Sequence, residues 1–166
     1  MGRVNHIACI GLLLLMSTRA GASGIVSTVS SASDDVVVLI NASVGITLSP
    51  YTRLPAGPVP GDFGLGTFSA NTTGGTLAVR VNRDINPAVP GQPGTVHWGQ
   101  ATNSKDPAGK INFRLVLPSS AALQDGWQVL AQGETSLVNS PIQTYLPQRI
   151  LPGTYPLAVD VVAFSY

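Results

Sequence analysis

Two stretches of the chain alternate apolar and polar residues with a period of two. In residues 76–82, Leu77, Val79 and Val81 fall on one side, and Thr76, Ala78, Arg80 and Asn82 on the other. In residues 110–117, Ile111, Phe113, Leu115 and Leu117 form the apolar side. Successive side chains of an extended chain point to opposite faces, so each stretch predicts a strand with one buried face. Shorter candidates are residues 45–51, which hold Ile46 and Leu48 and stop at Pro50, and residues 127–130 and 136–138 around Gly133. A last strand is predicted over residues 154–165, with Tyr155, Leu157, Val159, Val161 and Ala163 inward. Pro55, Gly57, Pro58, Pro60 and Gly61 predict one loop, and Pro87, Pro90, Gly91, Pro93 and Gly94 another. Residues 106–109 carry a turn signal, Asp-Pro-Ala-Gly. Nothing shows a helical stripe, and residues 119–124 leave room for one short helical turn. Short strands between such breakers predict an all-β sandwich or barrel.

The two ends depart from this pattern. Arg3 and His6 precede an apolar run over residues 7–16, and Ala20-Gly21-Ala22 follows as a small-residue cleavage site. The run is half the ~20 residues a membrane span needs. Residues 1–22 are therefore expected to be a secretory signal peptide, followed by an extension over 23–44 and a body over 45–166. The leader takes Cys9 with it, so the exported chain has no cysteine and depends on packing and backbone hydrogen bonds.

Within the extension, Asp34-Asp35 leads into Val36, Val38, Ile40, Ala42 and Val44, all of one parity. An extended chain places them on one side at ~6.6–6.8 Å intervals. A terminal strand this apolar invites aggregation unless it is paired or covered. Ile46 and Leu48 continue the parity, so residues 36–48 also read as one strand of the body. The free segment would then be 25–33, with Ile25, Val26 and Val29. Residues 35–44 are the preferred free strand. At the other end the apolar last strand should be paired on both sides, and the body offers one partner. The extension has the right length for the other side.

Composition narrows the function. Hydrophobic residues make up 44% of the 166 and charged residues 10%, far below the ~25% charged of an average soluble protein. Without Arg3 and Arg19, seven basic residues face eight acidic ones. This is not the basic footprint of a nucleic-acid binder. Beyond the leader His97 stands alone, whereas zinc wants three or four ligands. No spacing suggests a nucleophile, base and orienting acid. No metal, cofactor or catalytic residue is expected, and the chain does not read as an enzyme. His97-Trp98 and Trp127 are either receptor contacts or packing residues.

The joint pattern of leader, alternating extension, β body and a last strand opening Gly153-x-Tyr155 and running through Val159-x-Val161 resembles the pilin subunits of bacterial chaperone–usher fimbriae. The resemblance lies mainly at the two ends. Cysteine-free versions are similar to alternate, colonisation-factor type fimbriae and to capsule-like polymeric adhesins. It implies an immunoglobulin-like β-sandwich lacking its last strand and completed by donor-strand exchange. Val36, Val38, Ile40, Ala42 and Val44 would be the donor. Tyr155, Leu157, Val159, Val161 and Ala163 would line the acceptor groove. The implied partners are a periplasmic chaperone, an outer-membrane usher, neighbouring copies of itself or other pilins, and a candidate host receptor. The implied location is the bacterial surface, reached through the periplasm. Strand addition of this kind is open and head-to-tail, so it builds fibres that support adhesion. The reading from another class is a secreted monomeric β-sandwich, a lectin or adhesin module with a self-complete sheet.

Overall fold

The computed structural model describes residues 24–25 and 42–165, which contain no helix. The strands are β1 (Gly24–Ile25), β2 (Val44–Pro50), β3 (Gly57–Val59), β4 (Gly64–Thr72), β5 (Thr76–Val81) and β6 (Trp98–Thr102), then β7 (Lys110–Leu115), β8 (Ala122–Gln124), β9 (Trp127–Val129), β10 (Ser136–Thr144), β11 (Gln148–Ile150) and β12 (Val159–Ser165). They form two main sheets, ordered β1-β12-β5-β9-β8 and β2-β4-β10-β7-β6, and a small β11-β3 pair. Every pairing is antiparallel. This is an immunoglobulin-like sandwich.

The alternating stretches fill its centre. Leu77, Val79 and Val81 of β5 meet Ile111, Phe113 and Leu115 of β7, with Phe68 and Ala70 of β4 and Ile142 of β10. Phe68, Phe113 and Ile142 are wholly buried. A second apolar layer covers the outer face of the β12-β5-β9 sheet, where Ala78, Trp127, Val129 and Phe164 are buried. Arg80 lies 4.1 Å from the Trp127 ring centroid and pairs with Asp160 at 3.1 Å.

Three expectations change. The proposed helical turn over 119–124 is a turn at Pro118–Ala121, closed by a 3.0 Å hydrogen bond, followed by β8. β8 and β9 form a hairpin through Asp125 and Gly126, both at positive φ. Asp-Gly suits a two-residue turn of this twist. The loop expected from Pro55 to Gly61 contains β3, which pairs with β11. The last strand starts at Val159 rather than Thr154. Pro156 has no N–H to give a ladder. The buried Asn86 side chain holds this stretch instead, donating to the Pro156 carbonyl at 2.9 Å and accepting from the Ala158 N–H at 2.8 Å.

Candidate functional site: the seam between β2 and β12

β2 is the edge strand of one main sheet, and β12 lies second in the other, beside the two-residue β1; β2 and β12 run past one another without pairing. β2 pairs with β4 on one side, from Val44↔Thr72 to Pro50↔Gly66. β12 pairs with β5 along its length, from Val159↔Val81 to Phe164↔Thr76. On its other side β1 meets Ser165 and Phe164. Among the described residues, Val159 to Ala163 have no ladder partner there.

Side-chain parity aims both edges inward. Ile46 and Leu48 sit opposite Ala70 and Phe68, which belong to the core. Yet Val44 is 43% and Ile46 41% exposed. Leu48 is half-buried against the core, as are Val159 and Val161. Core-facing apolar residues on both sides of the seam are thus incompletely covered. At one end the seam opens into a cavity of about 410 Å³ between residues 50–56 and 150–157, with Leu54, Leu65, Ile111, Ile150, Tyr155 and Leu157 on its walls. Unpaired backbone beside uncovered apolar side chains is what an added extended strand would satisfy.

The turn into β12 is built by Gly153 and Tyr155. Gly153 has φ +154, and a Cβ there would collide with the Asn103 amide. That amide is held by donating to the Pro152 carbonyl at 3.0 Å. Tyr155 donates its hydroxyl to the Leu151 carbonyl at 2.9 Å. A tyrosine near the start of a strand that bonds back a few residues upstream is the corner device of immunoglobulin-like sandwiches.

The sequence-predicted residues fall as follows. Tyr155 and Leu157 precede β12 and wall the cavity. Val159, Val161 and Ala163 face the core opposite Val81, Val79 and Leu77, with Ala163 buried and the other two half-buried. Val44 opens β2, and Ala42 just before it is half-buried. Val36, Val38 and Ile40 lie outside the described residues, as does most of the alternative segment 25–33. Ile25 is paired opposite Phe164. Asn86 and Asn103, whose side chains hold the approach to β12, are the positions that sequence reading missed. Lone buried asparagines carry no periodic signal, although Asn82-x-x-x-Asn86 within a loop was visible. Trp98 stacks on Tyr145 with ring centroids 3.9 Å apart, and Trp127 belongs to the outer apolar layer. No group of metal-binding side chains occurs among the described residues.

No protein-family model and no curated protein matches the chain. Solved structures do. The Salmonella SafD adhesin superposes with a TM-score of 0.58 at 19% identity, covering 72% of this chain and 84% of that one. A structure of enteroaggregative Escherichia coli AAF fimbriae, described for fibronectin binding and biofilm formation, gives 0.57 at 21% identity, covering 72% and 86%. The chain has the fold of fimbrial subunits and adhesins. The minor tip subunit HdaB of the E. coli Hda pilus shares this fimbrial fold too, with a TM-score of 0.54 at 17% identity, covering 71% and 80%. Of the residues that carried the resemblance, Val44 opens β2 and Val159 and Val161 lie on β12, on the two flanks of the seam.

Proposed function

We propose that the protein is a structural subunit of a surface fimbria that polymerises head-to-tail by donor-strand exchange and supports adhesion. The observation that carries this reading is the seam, where Val44, Ile46, Leu48, Val159 and Val161 face the core yet remain incompletely covered, and where Val159 to Ala163 have no ladder partner on the side away from β5 among the described residues. An extended apolar segment of a neighbouring copy would complete the ladder on β12 and cover these side chains. The preferred donor is the stretch proposed over 35–44, with Val36, Val38, Ile40 and Ala42 as the side chains it would offer, because Val44 is paired opposite Thr72 in β2 of its own body. Residues 1–22 would direct export to the periplasm, a chaperone would fill the seam in transit, and an usher would exchange it for the next subunit. Each large aliphatic donor residue would contribute up to ~1.5–3 kcal/mol on full burial. Ordering the segment costs ~1–2 kcal/mol per residue in backbone entropy. A preformed seam is therefore central to the exchange.

Light scattering after size exclusion tests this. The exported chain is compared with one lacking residues 23–41, offered a peptide of residues 34–43 or of residues 24–33. The expected result is a ladder of polymers from the intact chain and a stable monomer from the truncated chain with the first peptide. Rescue by the second peptide alone would move the donor to 25–33. A stable intact monomer, with truncated protein indifferent to both peptides, would overturn strand exchange in favour of a self-complete binding module.

A further inference from the structure

The two ends of the sandwich carry opposite charge. At one end β2 finishes and β12 begins, around the mouth of the seam cavity. Arg53 lines that mouth, and Lys105 follows Ser104, whose N–H donates to the Thr154 carbonyl on the rim at 2.9 Å. Lys110 and Arg149 precede the wall residues Ile111 and Ile150. All four cations are exposed and without an ion pair among the described residues. The unpaired acids of this end are Asp84 and Asp106. At the other end β12 finishes and β2 begins. There the Thr73 N–H donates to the Ser43 carbonyl at 3.0 Å and the Leu77 N–H to the Glu134 carbonyl at 2.8 Å. Among residues 43–44, 71–76 and 131–136, which meet there, Glu134 is the one charged side chain. Its exposed carboxylate accepts from the Ala131 N–H at 3.3 Å and pairs with no cation among the described residues.

We propose that in the fibre the basic end of each copy docks on the acidic end of the next, with Arg53 meeting Glu134. This rests on the strand-exchange reading and adds a second contact between the same neighbours. The length of the chain carries it. β1 runs antiparallel to β12, with Gly24 opposite Ser165 and Ile25 opposite Phe164, and a donor of the same sense would replace it. Ser43 is held to its own body by Thr73, so Ala42 is the last donor residue free to pair. The Ala158 backbone is spent on Asn82 and Asn86, so Val159 is the first open position on β12. Setting Ala42 opposite Val159 puts Ile40 on Val161 and Val38 on Ala163, which keeps the apolar faces together. Ser43 and its body then follow one residue on, ~3.3 Å along the strand. No linker remains to hold the bodies apart, and the acidic end arrives at the cavity mouth. In this register Asp34-Asp35 would fall just beyond Ser165 and add to the acidic end of the copy that holds them. Facing charges of opposite sign speed docking and fix orientation more than they add affinity, and salt screens them.

Beyond residue 22 the chain has no cysteine, so introduced thiols report without background. Polymers of the exported chain carrying Arg53→Cys and Glu134→Cys are treated with a short bismaleimide and dissolved in hot detergent. The expected result is a covalent ladder, with each single variant giving dimers at most. Growth of polymers is then followed by light scattering. Arg53→Glu should slow it about tenfold at low salt, the lower end of electrostatic steering, with the difference fading at high salt. Glu134→Lys in the same chain should restore most of the rate. Polymers without a covalent ladder, or growth indifferent to Arg53→Glu, would overturn the contact and leave strand exchange standing. Failure of the unsubstituted chain to polymerise would remove the strand-exchange reading and this contact with it.

Discussion

Two regions of this sandwich are built from the same kind of residue and end in different states. Leu77, Val79 and Val81 of β5 face the core with strands on both sides of their own, and all are fully buried. Val44 and Ile46 of β2 face the same core and keep more than two-fifths of their surface exposed. Inward parity alone therefore does not bury a side chain. Burial also needs a neighbour on each edge of the strand, and the seam lacks one among the described residues. In the proposed fibre, a region that is apolar, inward-facing and open is where an added strand would be received.

The sharpest way to break the comparison is a truncation in the closed region. Phe113→Ala should cost about 3–5 kcal/mol in urea unfolding, as large aromatic deletions in packed cores do, and should do so in monomer and polymer alike. Next comes Asn86→Ala, which strips the partners from the Pro156 carbonyl and the Ala158 N–H. Two stranded backbone groups predict a loss of about 3 kcal/mol, and weaker acceptance of a donor because the approach to β12 is no longer held. Ile46→Ala sharpens the contrast most directly. It should cost about 1 kcal/mol in the open monomer and roughly double that once a donor covers it, given ~1.5–3 kcal/mol for complete burial of such a side chain. Equal losses in both states would show that no strand covers Ile46 in the polymer. Tyr155→Phe should lose about 1 kcal/mol for one hydrogen bond, read as a lowered urea midpoint.

The smallest effect is a pH slope. The folded pKa of His97 lies below 6.5, chiefly through desolvation and then through Arg114. As pH falls, the unfolded chain takes up this proton first, so the histidine destabilises the fold progressively below pH 6.5 until its folded pKa is passed. His97→Gln should flatten the urea midpoint against pH in that window and leave it unchanged above.

What could be read in advance follows the same physics. β7 was legible because one face is buried and the other polar and more open, and β5 because large apolar residues alternate with small or polar ones, although a second layer buries most of its outer face as well. β10 was legible for three residues and then lost, because Asn139 takes a positive φ at a bulge and Pro141 follows it. Proline in a central strand ordinarily argues against the strand, and a bulge is the place that admits it. β6 has no alternation to read. Gly99 faces inward with Val81 and Phe113 so close that no Cβ fits, and Gln100 is buried beside it. β4 hides in small residues for a similar reason, since a Cβ at Gly66 would strike the backbone of β2. Both flanks of the seam were legible from their alternation, Ile46 and Leu48 on β2 and Val159 and Val161 on β12. The Asn86 clamp was not, because it joins two loops that only the tertiary fold brings together.

Ser43 carries one more consequence. Its N–H donates to the Thr73 hydroxyl at 3.0 Å, and its carbonyl accepts from the Thr73 N–H at 3.0 Å. The chain is thus clamped to the body immediately before β2. In a head-to-tail fibre this clamp would act as the root of a lever, with the donor strand as its arm. Bending between neighbours would concentrate in the few residues ahead of Ser43, and loosening the clamp with Thr73→Ala would lower the bending stiffness of the fibre without shortening its repeat.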